Sequence, residues 1–377
     1  MTRSTKPVSI VAAVILAACG HSGLERSAPH DGAPAGRKLP EGVPEILDLK
    51  IGWEWPAPPP GSVGMPAADA SGIALTTARE RLVMLDPAGK VRWQADHDSV
   101  RDVAPLLLAD QVLVATEEGV AAYDRGNGRR RWETRLGERA NTPVLAGGRA
   151  VVSTWEGSLY GLDVADGNVA WRVKLGGDAL GPATAAGTTA VATFDTGRAA
   201  GAVAVDATTG RQGWSVPLPS GGVSAPAVAG SDTVVVVAGD VAVHGLSLQD
   251  GTERWRVESK GSGSPEVPPL PLADGTVVAA HRLGGFLAIR ASDGEPLWLA
   301  TSNGAAVRGG PAGPGPLGWF ALPLDDGRLF LAHPPGVKDV RTPPDGLVTG
   351  VTPGPGGVLL ISTGQGDQNL LTAMTGW

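Results

Sequence analysis

The chain has 377 residues, among them 55 Gly, 32 Pro, 11 Trp and a single Cys, and a formal net charge of −7. Its length would hold two or three ordinary domains, its hydrophobic content of 42% suffices for a core, and its many turn-forming residues interrupt any sustained helical period. The acidic balance excludes the clustered basic face of a nucleic-acid binder, and one cysteine excludes an internal disulfide framework. The one local basic group, Arg125, Arg129, Arg130 and Arg131, falls on a turn and is expected to be a solvated face.

Residues 1–18 read as a secretory signal: Arg3 and Lys6 give a positive start, and Val8 to Ala18 is an apolar run too short to span a membrane as a mature helix. The following Leu16-Ala17-Ala18-Cys19-Gly20 resembles the lipobox of bacterial lipoproteins. The resemblance implies cleavage before Cys19 and acylation of that residue, and two or three acyl chains give stable anchoring. Residues 19–45 are rich in Gly, Pro, Ser and mixed charge without periodicity, which marks a flexible tether with a reach of roughly 25 to 30 Å. The expected location is outside the cytoplasm, on the periplasmic face of an outer membrane where the cell has one and otherwise on the outer face of the plasma membrane.

From residue 46 to 377 the chain repeats itself. Trp93, Trp132, Trp171, Trp214, Trp255 and Trp298 recur at spacings of 39, 39, 43, 41 and 43 residues. Most of them close the phrase Asp-x-x-x-Gly-x-x-x-Trp, clearest in Asp124…Gly128…Trp132, Asp163…Gly167…Trp171 and Asp206…Gly210…Trp214. A period of about 40 with a strand-turn-strand phrase predicts a β-propeller. The Asp side chain bonds its own turn, Gly supplies a positive φ, and the Trp anchors the returning strand. Ser247 and Arg290 replace Asp in two copies, and the first copy, Asp86 to Gly89 to Trp93, is one residue shorter.

A proline follows each Trp by 11 to 14 residues, at Pro105, Pro143, Pro182, Pro226, Pro269 and Pro311, where the next unit's innermost strand is expected to begin. Pro66, which is 11 residues after Trp55, and Pro353, 13 after Val340, extend the count, with Val340 in the Trp position of a worn copy. Val358 to Thr363 and Asn369 to Met374 predict the second and third strands of a last, truncated copy. A Trp-bearing strand, Ile51 to Trp55, stands before the first copy with no unit of its own. Joining the two fragments predicts an all-β, eight-bladed propeller whose N-terminal strand pairs with the C-terminal blade and closes the ring, leaving no exposed edge between the ends.

The phrase Leu159-Tyr-Gly-Leu-Asp163-Val-Ala-Asp-Gly167-Asn-Val-Ala-Trp171 resembles the PQQ-like, quinoprotein-type propeller repeat, over roughly residues 50–377. Two families with that repeat imply different functions. The BamB-type lipoproteins of the barrel-assembly machinery resemble this chain in size, lipobox, tether and terminal closure, which implies a non-catalytic, monomeric, lipid-anchored scaffold that binds envelope partners and assists outer-membrane β-barrel assembly. The loop Pro217-Leu-Pro-Ser-Gly-Gly222 departs from that family by lacking the apolar-plus-arginine segment expected where a partner binds. The alternative is a quinone- or sugar-binding propeller similar to the PQQ-dependent dehydrogenases. Their cysteine pair and long insertions have no counterpart in this sequence, and no cofactor is expected.

The remaining candidate chemistry is thin. His21, His30, His97, His244, His281 and His333 lack metal-ligand spacing and are expected at surfaces or turns. Asp325-Asp326-Gly327 and the segment Asp163 to Gly167 lack the closing ligands of a calcium loop and read as turns. Asp124, Asp163 and Asp206 are distributed one per repeat, so no shared acidic site is expected. Trp53, Trp155, Trp319 and Trp377 fall outside the six-copy register, and Trp155 is the candidate for an exposed contact.

Overall fold

The computed structural model describes residues 47, 49–57, 63–77, 80–98, 103–239, 242–258, 267–281, 285–301, 310–313, 315–316, 318–333, 337–341, 347–365 and 368–377. The signal segment, Cys19, the tether, His21 and His30 lie outside these residues. Among them there is no α-helix, only strands and one short 3₁₀ turn at Pro355–Gly357. The described strands form eight antiparallel sheets, seven of four strands and one of three. Repeated four-stranded antiparallel sheets of this kind are the arrangement of a β-propeller.

In chain order, sheet 1 is Ala67–Asp69, Gly72–Thr77, Arg81–Leu85 and Val91–Asp96, and sheet 2 is Leu106–Leu107, Gln111–Thr116, Gly119–Asp124 and Arg130–Arg135. Sheet 3 is Val144–Ala146, Arg149–Ser153, Ser158–Asp163 and Val169–Lys174; sheet 4 is Thr184–Ala186, Thr189–Asp195, Ala200–Asp206 and Gln212–Leu218. Sheet 5 is Ala227–Ala229, Thr233–Ala238, Ala242–Ser247 and Glu253–Val257; sheet 6 is Leu270–Pro271, Thr276–His281, Gly285–Arg290 and Pro296–Thr301. Sheet 7 has, among the described residues, three strands, Phe320–Pro323, Leu329–His333 and Val337–Arg341, and an isolated bridge joins Ala312 to Ala321. Sheet 8 orders Leu347–Pro353, Leu359–Gln365 and Gln368–Thr375 beside the N-terminal strand Lys50–Pro56, which pairs with Gln368–Thr375.

The burial pattern explains why these segments are strands. Second and third strands such as Gln111–Thr116 and Ala242–Ser247 are buried at every position, so both faces are apolar and the sequence reads as a continuous Val, Ala and Leu run. The fourth strands bury little besides the tryptophan: in Val169–Lys174 only Trp171 is buried. The apolar side chains gather in clusters that each join two neighbouring sheets, for instance Trp171 and Leu159 with Ala192 and Val203 between sheets 3 and 4. Trp55, Ile73 and Leu75 meet Leu360 and Leu371 between sheets 1 and 8.

The prolines behave as expected in most copies. Pro66, Pro105, Pro143, Pro226 and Pro269 immediately precede first strands, Pro311 precedes the Ala312 bridge, and Pro182 stands two residues before Thr184. Pro353 is a correction: it ends the first strand of sheet 8 instead of starting it. That strand is longer than its counterparts, and a proline on an edge strand is tolerated at either end because no ladder bond is needed there.

Candidate functional site

The recurring phrase of the repeat is a lock between adjacent sheets, built from three groups, a bulged tryptophan, a turn glycine and a turn carbonyl. The fourth strand carries a β-bulge just before its tryptophan. In sheet 3 the pairing passes from Leu162 and Val169 to Gly161 and Trp171, skipping Ala170. The extra residue bends the strand and re-aims the indole toward the next sheet. There the ring lies on the turn glycine: a Cβ on Gly128 would sit 2.6 Å from the Trp93 ring, on Gly167 2.5 Å from Trp132, and on Gly210 2.5 Å from Trp171. Gly251 and Gly294 back Trp214 and Trp255 in the same way, so the glycine is fixed by the ring above it as much as by its positive φ. The indole N–H then donates to the carbonyl just after the turn's first residue. Trp93 reaches Arg125 O at 2.8 Å, Trp132 Val164 O at 3.1 Å, Trp171 Ala207 O at 2.8 Å, Trp214 Leu248 O at 3.0 Å and Trp255 Ala291 O at 2.8 Å.

The turn aspartates stay local. Asp124 Oδ1 accepts from the amides of Gly126 and Asn127, Asp163 Oδ1 from Ala165, and Asp206 Oδ1 from both the amide and the hydroxyl of Thr209. The Arg131 hydrogen bond lowers the pKa of Asp124, and the Thr209 bonds lower that of Asp206. Each belongs to its own sheet, so they build turns and form no common acidic centre. Asp326 likewise accepts from the Arg328 amide in its turn.

Sequence reasoning missed several partners. Trp53, set outside the register, occupies the lock position of sheet 8: the same bulge, at Gly52, precedes it, and a Cβ on Gly89 would sit 2.5 Å from its ring. Trp55, used as the register mark, is instead buried in the cluster between sheets 1 and 8. Arg125, expected to be solvated, is buried. Its guanidinium pairs with Asp69 at 2.5 Å and donates to Leu108 O at 2.7 Å, and burial, opposed by the stronger sum of the Arg125 and Ser71 bonds, leaves the Asp69 carboxyl lowered to about 2. The pair ties sheet 1 to sheet 2. The other three arginines are on the exposed turn and strand, where Arg130 pairs with Glu133 and Arg131 with Asp124.

The histidines need a further correction, since His97, His244 and His333 are all buried. His244 and His333 sit in strands buried at every position, which leave no solvated side for a polar residue, whereas His97 follows the fourth strand of sheet 1 and is covered by its contact with Tyr123. His97 Nε2 donates to Ala115 O at 3.2 Å while Nδ1 lies 3.2 Å from the Tyr123 hydroxyl, which itself donates to Asp96 O. Burial lowers the pKa of His97 and also that of His244, which lies 3.5 Å from Glu253. The edge of His333 faces the Trp319 ring. A cleft of about 300 Å³ opens above His97 and Tyr123, lined also by Glu80, Asp98, Thr116 and Glu133.

Two further surfaces bear on binding. Trp155 is 38% exposed in the turn after the second strand of sheet 3, with the Arg139 guanidinium 4.5 Å above its ring. The Pro217 to Gly222 loop is held inward, because Leu218 is buried and the Gly222 amide donates to Asp195 Oδ2 at 2.8 Å. Among the described residues, no three His, Cys, Asp or Glu side chains are grouped to hold a metal ion. The described first strands of the sheets carry one charged residue, Asp69, already paired with Arg125.

No curated protein sequence matches this chain. Among solved structures it is similar to BamB from Moraxella catarrhalis, at 18% identity and a TM-score of 0.66, covering 86% of this chain and 97% of that one. It is similar to the C-terminal WD40 domain of Sif2 at 10% identity and a TM-score of 0.68, covering 87% and 99%. The quinohemoprotein alcohol dehydrogenase from Comamonas testosteroni matches at 13% identity and a TM-score of 0.65, covering 90% of this chain and 78% of that one. At these identities the likeness is one of fold. The family model described as outer membrane protein assembly factor BamB matches residues 48–142, 78–201 and 156–311, more than half of the sequence. The chain belongs to the outer membrane protein assembly factor BamB family.

Proposed function

We propose that this protein is a non-catalytic scaffold of the bacterial envelope, an eight-bladed propeller held to a membrane by acyl chains on Cys19 and docking a protein partner in outer-membrane β-barrel assembly. Residues 1–18 are the cleaved signal, 19–45 the tether, and 46–377 the monomeric propeller. Family membership over residues 48–311 is the observation that carries the reading. Ring closure is supported by the pairing of Lys50–Pro56 with Gln368–Thr375 and by the cluster that joins sheets 1 and 8.

A catalytic quinone site would need polar and charged groups converging from several sheets. The described first strands, which contact those of the neighbouring sheets, supply Ala, Leu, Val, Thr, Gly and Pro with the single paired Asp69. That composition favours a packed structural hub over a cofactor funnel. The test is to titrate the purified protein with pyrroloquinoline quinone and calcium, and then supply an alcohol or sugar with a dye acceptor. We expect no saturable uptake and no dye reduction. Stoichiometric uptake with calcium-dependent reduction would overturn the scaffold in favour of the dehydrogenase-like alternative, for which the fold likeness to the quinohemoprotein speaks. Separately, Cys19→Ser is expected to move the protein from the membrane to the soluble fraction, since among the described residues no helix is long and apolar enough to cross a membrane.

A further inference from the structure

The seams that follow sheets 1, 2, 3 and 4 carry equivalent residues at two positions beside the lock. Four residues after the lock tryptophan stand Leu136, Leu175 and Leu218 in sheets 2, 3 and 4, and just before the turn of the following sheet stand Leu162, Val205 and Leu246. Each pair belongs to the apolar cluster of its seam. Between sheets 1 and 2 the same two positions hold His97 and Tyr123, whose rings meet edge to face at 5.7 Å beneath the cleft of about 300 Å³. A polar pair with space above it takes the place of the ordinary apolar contact.

That pair is one hydrogen short. His97 is 4% exposed, and burial keeps its ring neutral by lowering its pKa, so the ring carries a single N–H. The hydrogen sits on Nε2, which faces Ala115 O at 3.2 Å, an atom that only accepts. Nδ1 is therefore an acceptor, yet the Tyr123 hydroxyl 3.2 Å away gives its one hydrogen to Asp96 O. One of these two acceptors lacks a donor whichever way the hydroxyl turns, and both residues line the cleft.

The rim adds spare negative charge. Glu80 and Asp98 line the cleft, and neither carboxylate has an ion-pair partner among the described residues, whereas Glu133 and Arg130 pair with each other. Glu80 is the one described non-glycine residue with a left-handed backbone, at φ 54°, and its carbonyl accepts the His97 amide at 2.7 Å. Strain of this kind persists where the surroundings fix the residue in place.

We propose that the cleft between sheets 1 and 2 is a binding site for a guanidinium group, supplied by an arginine side chain of a protein segment. A guanidinium stays charged and spreads five N–H donors over a plane, so it can serve Glu80, Asp98 and Asp96 O together, where an ammonium offers three donors from one point. Donation to Asp96 O frees the Tyr123 hydroxyl to turn to His97 Nδ1, and every acceptor of the buried pair is then met. The one described cation of the lining, Arg130, is already paired, so nothing there meets the α-carboxylate of free arginine, which favours an arginine within a chain. Guanidinium uptake is independent of barrel assembly and of quinone binding, so either can fail without the other.

The test is to titrate the whole protein, isotope-labelled at its histidine ring nitrogens, with N-acetyl-arginine amide and to follow the rings by nuclear magnetic resonance. The His97 Nδ1 signal is expected to move saturably toward that of a hydrogen-bonded acceptor, while N-acetyl-citrulline amide, of the same shape without the charge, leaves it in place. Glu80→Gln combined with Asp98→Asn changes two exposed side chains and is expected to weaken uptake at least about tenfold. His97→Leu, which restores the residue of the other seams, is expected to fold and to lose uptake measured by calorimetry. No saturable shift, an equal response to the citrulline amide, or undiminished uptake by the double carboxylate variant would overturn the site, and these three readouts stand even where His97→Leu fails to fold. Free arginine bound as well as the amide would overturn the protein segment as its source.

Discussion

An indole can be buried face-down on a backbone only where no Cβ intervenes, and its N–H must still find an acceptor. Gly167 meets the first requirement for Trp132, and Ala207 O meets the second for Trp171. Gly167→Ala therefore combines left-handed strain with a clash against the Trp132 ring and should cost about 2 to 4 kcal/mol. Gly187→Ala, at a comparable positive φ but with open space where the Cβ would go, should cost only about 1 kcal/mol. Urea midpoints of the two variants check this, and equal losses would remove the ring contact as the reason for glycine. Trp171→Ala should cost roughly 3 to 5 kcal/mol and the part-exposed Trp155→Ala distinctly less, by the same measurement. Titration adds a separate check. His97 is held neutral by burial, its pKa lowered from 6.5, so above about pH 6.5 neither the folded nor the unfolded form carries its proton. Below that, the unfolded chain takes up a proton that the fold resists, and stability falls until the lowered pKa of the fold is reached. The unfolding midpoint should therefore drop between pH 7 and pH 5, and His97→Gln should flatten that slope.

At the scale of strands, the sequence showed its period because the same three positions are fixed by one contact. Asp163, Gly167 and Trp171 keep their spacing because turn, close approach and docking ring are all set by the lock, while most residues between them, Ala165, Asp166 and Asn168 to Ala170, face solvent. Trp53 was hidden for a related reason: Trp53 and Trp55 have the same parity and both join the contact between sheets 1 and 8, so spacing alone does not tell which of them lies on Gly89. Arg125 was illegible because its partner Asp69 lies 56 residues away, on another sheet, while its neighbours in sequence are arginines of an exposed turn. Buried His244 and His333 were missed because strands covered on both faces offer no alternation by which to tell inside from outside, and His97 because what buries it is Tyr123 of the next sheet, 26 residues away. The strand pairing predicts a large effect of truncation. A chain beginning at Ala57 loses the Lys50–Pro56 strand, exposes the edge of Gln368–Thr375, and should unfold without cooperativity or aggregate. A truncated protein that melts like the parent would remove that strand from the account of stability.

Across the whole molecule, each apolar cluster is shared by two sheets and none belongs to a single sheet, so no sheet has a core of its own. Such a body is stable only as a complete set of neighbours, which suits a rigid platform whose loops can present a partner-binding rim. Trp155 under Arg139 is exposed on such a rim, while the Pro217 to Gly222 loop is pinned to Asp195 and turns its leucine inward. The proposed scaffold and the dehydrogenase-like alternative share this architecture and differ in what they bind. Cross-linking in the native envelope, followed by affinity recovery of the acylated protein and mass spectrometry, separates them most directly. The scaffold predicts a reproducible cross-linked protein of the barrel-assembly machinery, reduced when exposed rim residues such as Trp155 are changed. Recovery of the protein uncross-linked to any envelope protein, with tightly bound quinone in its place, would contradict it.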